Sequence, residues 1–158
     1  MIGEGSKAPA FKLMGDDEKV HSLSEFKDKT LVLYFYPKDD TPGCTIEAKD
    51  FTKLLPAIKK AGAEVVGISK DEFDSHCKFR DKYSLRVLLL SDPSSRTIKS
   101  YGAYGDRGIF GKGTLRKTVV IRRGRIVKDF GKVSNHGLIK RPGVQTEPPS
   151  LRSSRFRR

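Results

Sequence analysis

The chain has 158 residues, 36% of them hydrophobic and 32% charged, with 32 Lys/Arg against 19 Asp/Glu and a net charge of +13. That length supports one domain with a core of its own, and two cysteines, Cys44 and Cys77, are too few for a disulfide framework. The opening Met1-Ile2-Gly3-Glu4-Gly5-Ser6-Lys7 has no signal-peptide core, and the longest apolar run is far short of the ~20 residues of a spanning helix, so the expectation is a cytoplasmic protein with no membrane partner.

Thr30 to Tyr36 is continuously apolar and aromatic, as a strand buried on both faces should be. Pro37 to Gly43 is turn chemistry. A helix is predicted from Cys44 towards Ala61, with Ile46, Phe51, Leu54, Leu55 and Ile58 on its apolar side. Pro56 is expected to kink or split it, and Gly62 to end it. Glu64 to Ser69 reads as a second strand, and Asp71 to Tyr83 as a second helix with Phe73, Cys77 and Phe79 towards the core. Arg86 to Ser91 is a third strand, and a short helix runs from Asp92 through Tyr101. Arg116–Ile121 and Arg125–Phe130 are predicted strands joined by the turn Arg122-Arg123-Gly124. The order implies an α/β fold with a mixed central sheet flanked by helices, parallel at its centre.

The domain is read as residues 1–136. From 137 to 158 the signal changes: Gly137, Pro142, Gly143, Pro148 and Pro149 forbid a sustained helix, and six Lys/Arg face Glu147 alone, giving +5 of the net charge. This stretch is expected to be a disordered basic tail. The remaining positive charge forms no stripe interleaved with aromatics, so no specific nucleic-acid partner is expected. With no CxxC pair and with His21, His76 and His136 scattered, neither a zinc site nor another metal is expected. Gly105 to Thr114 is glycine-rich, but its spacing does not fit G-x-x-x-x-G-K-[ST], which argues against a nucleotide cofactor.

Chemistry concentrates in Thr41-Pro42-Gly43-Cys44-Thr45-Ile46-Glu47. It lies where a buried strand ends and a helix begins, the end of an α/β sheet at which ligands bind. A cysteine in a first helical turn meets unpaired N–H groups and the positive end of the helix dipole, and both favour thiolate over thiol. Thr41 can bring its hydroxyl beside the sulfur, and Pro42 shields it and holds the turn.

The run Phe35 to Thr45 resembles the active-site segment of the peroxiredoxins, and specifically their Q subfamily, the bacterioferritin comigratory proteins. Gly5 to Phe11, Val66 to Ser69, Lys78-Phe79, Lys82-Tyr83, Leu90 to Asp92 and Ser134-Asn135-His136 fit as well, so the resemblance covers about residues 2 to 136. It implies a thioredoxin-like fold and a thiol peroxidase acting on hydrogen peroxide and small organic hydroperoxides. It assigns Cys44 as the peroxidatic nucleophile, Thr41 as the hydroxyl that contacts sulfur and peroxide, Arg116 as the catalytic arginine and Glu47 as the carboxylate that orients it. It implies a thioredoxin-type reductant and a monomer or weak homodimer.

Two departures stand out. The commonest form of the subfamily has a resolving cysteine five residues after the first, where this chain has Lys49, and its final helix is replaced here by the Pro- and Arg-rich tail. Some members place the resolving cysteine on the second helix, about one turn beyond Cys77. The resemblance therefore offers Cys77 as the resolving thiol, against a buried core cysteine with Cys44 recycled by an external thiol. Two other functions compete with the peroxidase: a non-catalytic thioredoxin-like module binding nucleic acid or an acidic partner through the tail, and a thiol–disulfide exchanger, disfavoured because Cys44 has no CxxC partner.

Overall fold

Strand packing follows from alternation. In the strand Thr30–Phe35, successive side chains point to opposite faces of the sheet. Leu31, Leu33 and Phe35 enter one core layer with Phe11, Val66, Ile68, Leu90 and Ile98. Val32 and Tyr34, with Tyr36 just beyond, enter the other with Cys44, Ala48, Leu55 and Phe79. Both faces of the strand are thus used, and a neighbour pairs along each edge.

The computed structural model describes residues 2–132. Its strands are β1 (Lys12–Gly15), β2 (Val20–Ser22), β3 (Thr30–Phe35), β4 (Ala63–Ser69), β5 (Leu88–Ser91), β6 (Tyr104–Asp106), β7 (Lys112–Thr114), β8 (Lys117–Arg122) and β9 (Arg125–Lys132), and its helices are α1 (Pro42–Lys60), α2 (Phe73–Tyr83) and α3 (Arg96–Ser100). Seven strands form one sheet in the order β2-β1-β5-β4-β3-β8-β9. The central β5, β4 and β3 are parallel, whereas β8 and β9 continue the sheet as an antiparallel hairpin. This mixed α/β sheet, with helices packed on it, is the thioredoxin-like arrangement that the sequence implies. Its segments Ser134-Asn135-His136 and 137–158, including the expected domain boundary and tail, lie outside the described residues.

Several elements differ in detail from expectation. Helix α1 starts two residues earlier, with Thr41 as N-cap and Pro42 in the first turn, and it runs unbroken through Pro56. Pro56 is on the exposed side, where its ring meets solvent. The buried face is Cys44, Ala48, Phe51, Leu55 and Ile58, spaced four and three residues apart, so Ile46 and Leu54 fall outside it and are 46% and 53% exposed. The third helix begins only at Arg96, because Asp92 Oδ2 accepts the Ile98 N–H at 2.8 Å and holds the preceding residues as a turn. The glycine-rich stretch is a hairpin, β6–β7, with a short 3₁₀ turn at Gly108–Phe110. Among the described residues, no helix is long and apolar enough to cross a membrane.

Candidate active site

The C-terminal end of β3 and the beginning of β8 meet because the two strands are antiparallel: Phe35 pairs with Lys117. Arg116, one residue before β8, is thereby delivered beside the turn that leads from β3 into α1. Its Nη1 donates to Glu47 Oε1 at 2.8 Å and its Nη2 to Cys44 Sγ at 3.5 Å. The sequence separations are 69 and 72 residues, so only the strand pairing brings these groups together.

Cys44 is buried in the first turn of α1, and its nearby backbone N–H groups include some that no helical carbonyl can reach. Helix geometry places Glu47 one turn further along the same side. Glu47 is buried, with Oε2 lacking a hydrogen-bond partner. Burial is the largest influence on it and lifts its carboxyl to about 7, against the pull of Arg116. Tyr34, on β3 beneath the helix, is also buried with an unpartnered hydroxyl, and it stacks on Phe51 with ring centroids 4.7 Å apart. Burial is what raises its phenol well above the ordinary range, with Glu47 and Cys44 adding to the effect.

Thr41 caps α1, but its hydroxyl donates to the Lys38 carbonyl at 2.8 Å. The hydrogen is therefore used locally and the oxygen lone pairs remain to accept a hydrogen bond. Pro42 is exposed at the helix start and fixes the backbone there. Lys49, in the position discussed above, lies with Nζ 5.6 Å from the Tyr83 ring centroid.

Cys77 was expected towards the core and is only half-buried. Its Sγ is directed at the Asp16 carbonyl, 3.7 Å away, on the side of α2 that meets the β1–β2 turn. Burial pushes the Cys77 thiol above its ordinary value, and Arg80 opposes the shift. Both cysteines are free thiols.

Sequence reasoning missed the polar cluster on the other flank of the Cys44 turn. His76 and Asp39 are buried, with His76 Nδ1 2.7 Å from Asp39 Oδ2. Tyr36 and Ser75 donate their hydroxyls to Asp39 at 2.6 and 2.8 Å, and Asp71 accepts the Asp39 backbone N–H at 2.8 Å. The available signal was helical: Phe73, His76 and Phe79 recur every three residues, which puts the histidine on the apolar face of α2. Asp39, Asp71 and His76 carry metal-type donors within 4.8 Å of one another. Those donors are taken up by hydrogen bonds, however, since Asp71 Oδ2 also accepts from Ser69 and His76 Nε2 bonds the Leu90 carbonyl.

The AhpC/TSA family profile matches residues 4–130 of this chain. A peroxiredoxin bcp of Helicobacter pylori is 45% identical over 137 residues, covering 84% of this chain and 90% of that protein. A chloroplastic peroxiredoxin Q of Suaeda salsa is 46% identical over 127 residues, covering 80% of this chain and 58% of that one. Among solved structures, the Xanthomonas campestris bacterioferritin comigratory protein, described for its alkyl peroxide reduction, superimposes with a TM-score of 0.76 at 33% identity, over 80% of this chain and 83% of the other.

Proposed function

The chain belongs to the AhpC/TSA family, and from that premise we propose how this thiol peroxidase works: Cys44 attacks hydrogen peroxide or a small organic hydroperoxide, and a thioredoxin-type dithiol restores it. The observation that carries the reading is the single guanidinium of Arg116 reaching both Glu47 Oε1 and Cys44 Sγ at the start of a helix.

The chemistry is a two-electron transfer. The Cys44 thiolate attacks one peroxide oxygen, an S–O bond forms, and the O–O bond breaks. Sulfur is oxidised to a sulfenic acid, and the departing oxygen leaves as hydroxide or alkoxide and takes a proton to become water or an alcohol. Negative charge moves from sulfur onto the leaving oxygen. The Arg116 guanidinium and the first N–H groups of α1 are fixed before that charge arrives, so little reorganisation is required. Thr41 Oγ1, with its hydrogen committed to Lys38, accepts the peroxide O–H and aligns the O–O bond. Glu47 holds Arg116 in place, and Pro42 holds the turn.

The return step has two routes. The direction of Cys77 Sγ towards Asp16 supports direct attack on the sulfenic acid by an external thiol. Resolution by Cys77 instead needs its Sγ to leave the Asp16 carbonyl and reach Cys44 Sγ, with the two Cα atoms within ~7 Å. The subfamily resemblance further supports a monomer or weak homodimer. No observation among the described residues favours a binding module over the peroxidase. Cys44→Ser tests the reading: it should abolish peroxide turnover, because a serine hydroxyl is not appreciably ionised near neutral pH, and turnover at the wild-type rate would refute it.

A further inference from the structure

The turn that presents Cys44 is held from one side by Arg116 and from the other by α2. On the second side, every polar atom of Asp39 described above is engaged: its carboxylate by Tyr36, Ser75 and His76, and its backbone N–H by Asp71. The next residue, Asp40, sits at φ 58° and takes Lys82 at 2.9 Å and Tyr83 at 2.7 Å. Thr41 and the start of α1 follow directly.

His76 determines what kind of clamp this is. Its Nε2 lies 3.0 Å from the Leu90 carbonyl, which can only accept, so Nε2 carries a hydrogen. Its Nδ1 faces Asp39 Oδ2, which already accepts from Ser75. Tyr36 donates to Asp39 Oδ1 and Ser75 to Asp39 Oδ2, so both carboxyl oxygens already act as acceptors and the hydrogen of the 2.7 Å contact is left to the imidazole. Nδ1 therefore carries a hydrogen as well. We infer that His76 is a positioning residue for peroxide reduction, a buried imidazolium whose ion pair with Asp39 fixes the turn that sets the Cys44 sulfur against its substrate.

The charged and titratable groups that face His76 are Asp39 from the turn, Asp71 from the β4–α2 connection and Tyr36 from the end of β3. The Leu90 carbonyl comes from β5. Burial pulls the imidazole down, but the hydrogen bond and charge of Asp39, the Leu90 carbonyl and Asp71 outweigh it and hold it above its ordinary value of 6.5. For a histidine raised in this way, the stabilising pair is intact at low pH. It is lost as pH rises through the folded-state value, when an Nδ1 lone pair is left facing a carboxylate oxygen.

This inference rests on Cys44 being the peroxide-reactive thiol, and the experiment separates the two. The second-order rate of sulfenic acid formation with hydrogen peroxide is measured by stopped flow across neutral and alkaline pH for wild type, His76→Gln, the double variant D39N/H76Q and Cys44→Ser. A displaced sulfur should slow His76→Gln by on the order of tenfold to a hundredfold at neutral pH. The wild-type profile should carry an alkaline fall that His76→Gln lacks, while the titration of Glu47 persists in both. The double variant, which restores an uncharged amide pair, should recover part of the rate and still show no alkaline fall. Nitrogen NMR of histidine-labelled wild type, assigned by the signal missing from His76→Gln, should show two protonated ring nitrogens at neutral pH. A neutral His76 ring, or a His76→Gln rate and profile identical to wild type, overturns the inference while an inactive Cys44→Ser leaves the peroxidase reading standing. Turnover by Cys44→Ser overturns both.

Discussion

Arg116 and Glu47 are nearly enclosed, with side-chain exposures of 13% and 2%. Enclosure makes the fork geometry matter. Arg116→Lys should keep the charge but lose one of the two directed contacts, so the rate with peroxide should fall markedly while the fold persists; an unchanged stopped-flow rate would remove Arg116 from the mechanism. Glu47 makes a prediction about stability. Its carboxyl is raised to about 7, chiefly by burial, from an ordinary 4.5. The native state therefore holds a proton that the unfolded chain releases, and stability should decline as pH rises from about 4.5 to about 7. Glu47→Gln removes that decline, by a few kcal/mol at most. Urea denaturation of both proteins across that range checks it, and parallel pH slopes would contradict it.

At the scale of elements, α1 offers a clean contrast. Leu54 and Leu55 are neighbours in sequence, yet Leu55 is buried and Leu54 is 53% exposed. Leu55→Ala should destabilise by roughly 2–5 kcal/mol, and Leu54→Ala by less than about half a kcal/mol. Equal effects in denaturant unfolding would mean the helix is rotated from the face described. Gly67 supplies a second test. A Cβ there would lie 2.7 Å from the Tyr34 ring, which is enclosed under α1. Gly67→Ala should therefore cost about 1–3 kcal/mol through overpacking, and a neutral result would show that Tyr34 can move aside. The central strands and both long helices were legible because their apolar periodicity is strong. Strands β1, β2, β6 and β7 were not, being three or four residues each and stabilised by pairing rather than by their own pattern. Cys44 was legible from its motif alone. Arg116 stood out from Arg122, Arg123 and Arg125 only through family resemblance, since its selection depends on the register of β8 against β3. The Asp39–His76 pair joins residues 37 apart through a turn and a helix face, and no local pattern encodes that.

Across the whole molecule, charge and chemistry are separated along the chain. The segment 137–158 carries +5 of the net +13, while every residue assigned to peroxide reduction lies before it. A chain ending at residue 140 should keep its peroxidase activity, and any nucleic-acid binding by the full chain should be strongly salt-dependent and disappear with the tail. Sequence-selective binding by the shortened chain would revive the binding-module reading. The two return routes also differ at this scale. Oxidised protein digested without reductant yields a Cys44–Cys77 peptide if Cys77 resolves the sulfenic acid, and a trappable sulfenic acid on Cys44 if an external thiol does. The most direct measurement of the central claim is titration of reduced protein with one equivalent of hydrogen peroxide, followed by mass mapping of both cysteines. The account predicts that one equivalent of peroxide is consumed per chain, that oxidation starts at Cys44, and that Cys44→Ser leaves the peroxide unspent. Equal consumption of peroxide by the Cys44→Ser protein, or first oxidation at Cys77 with Cys44 intact, would contradict it.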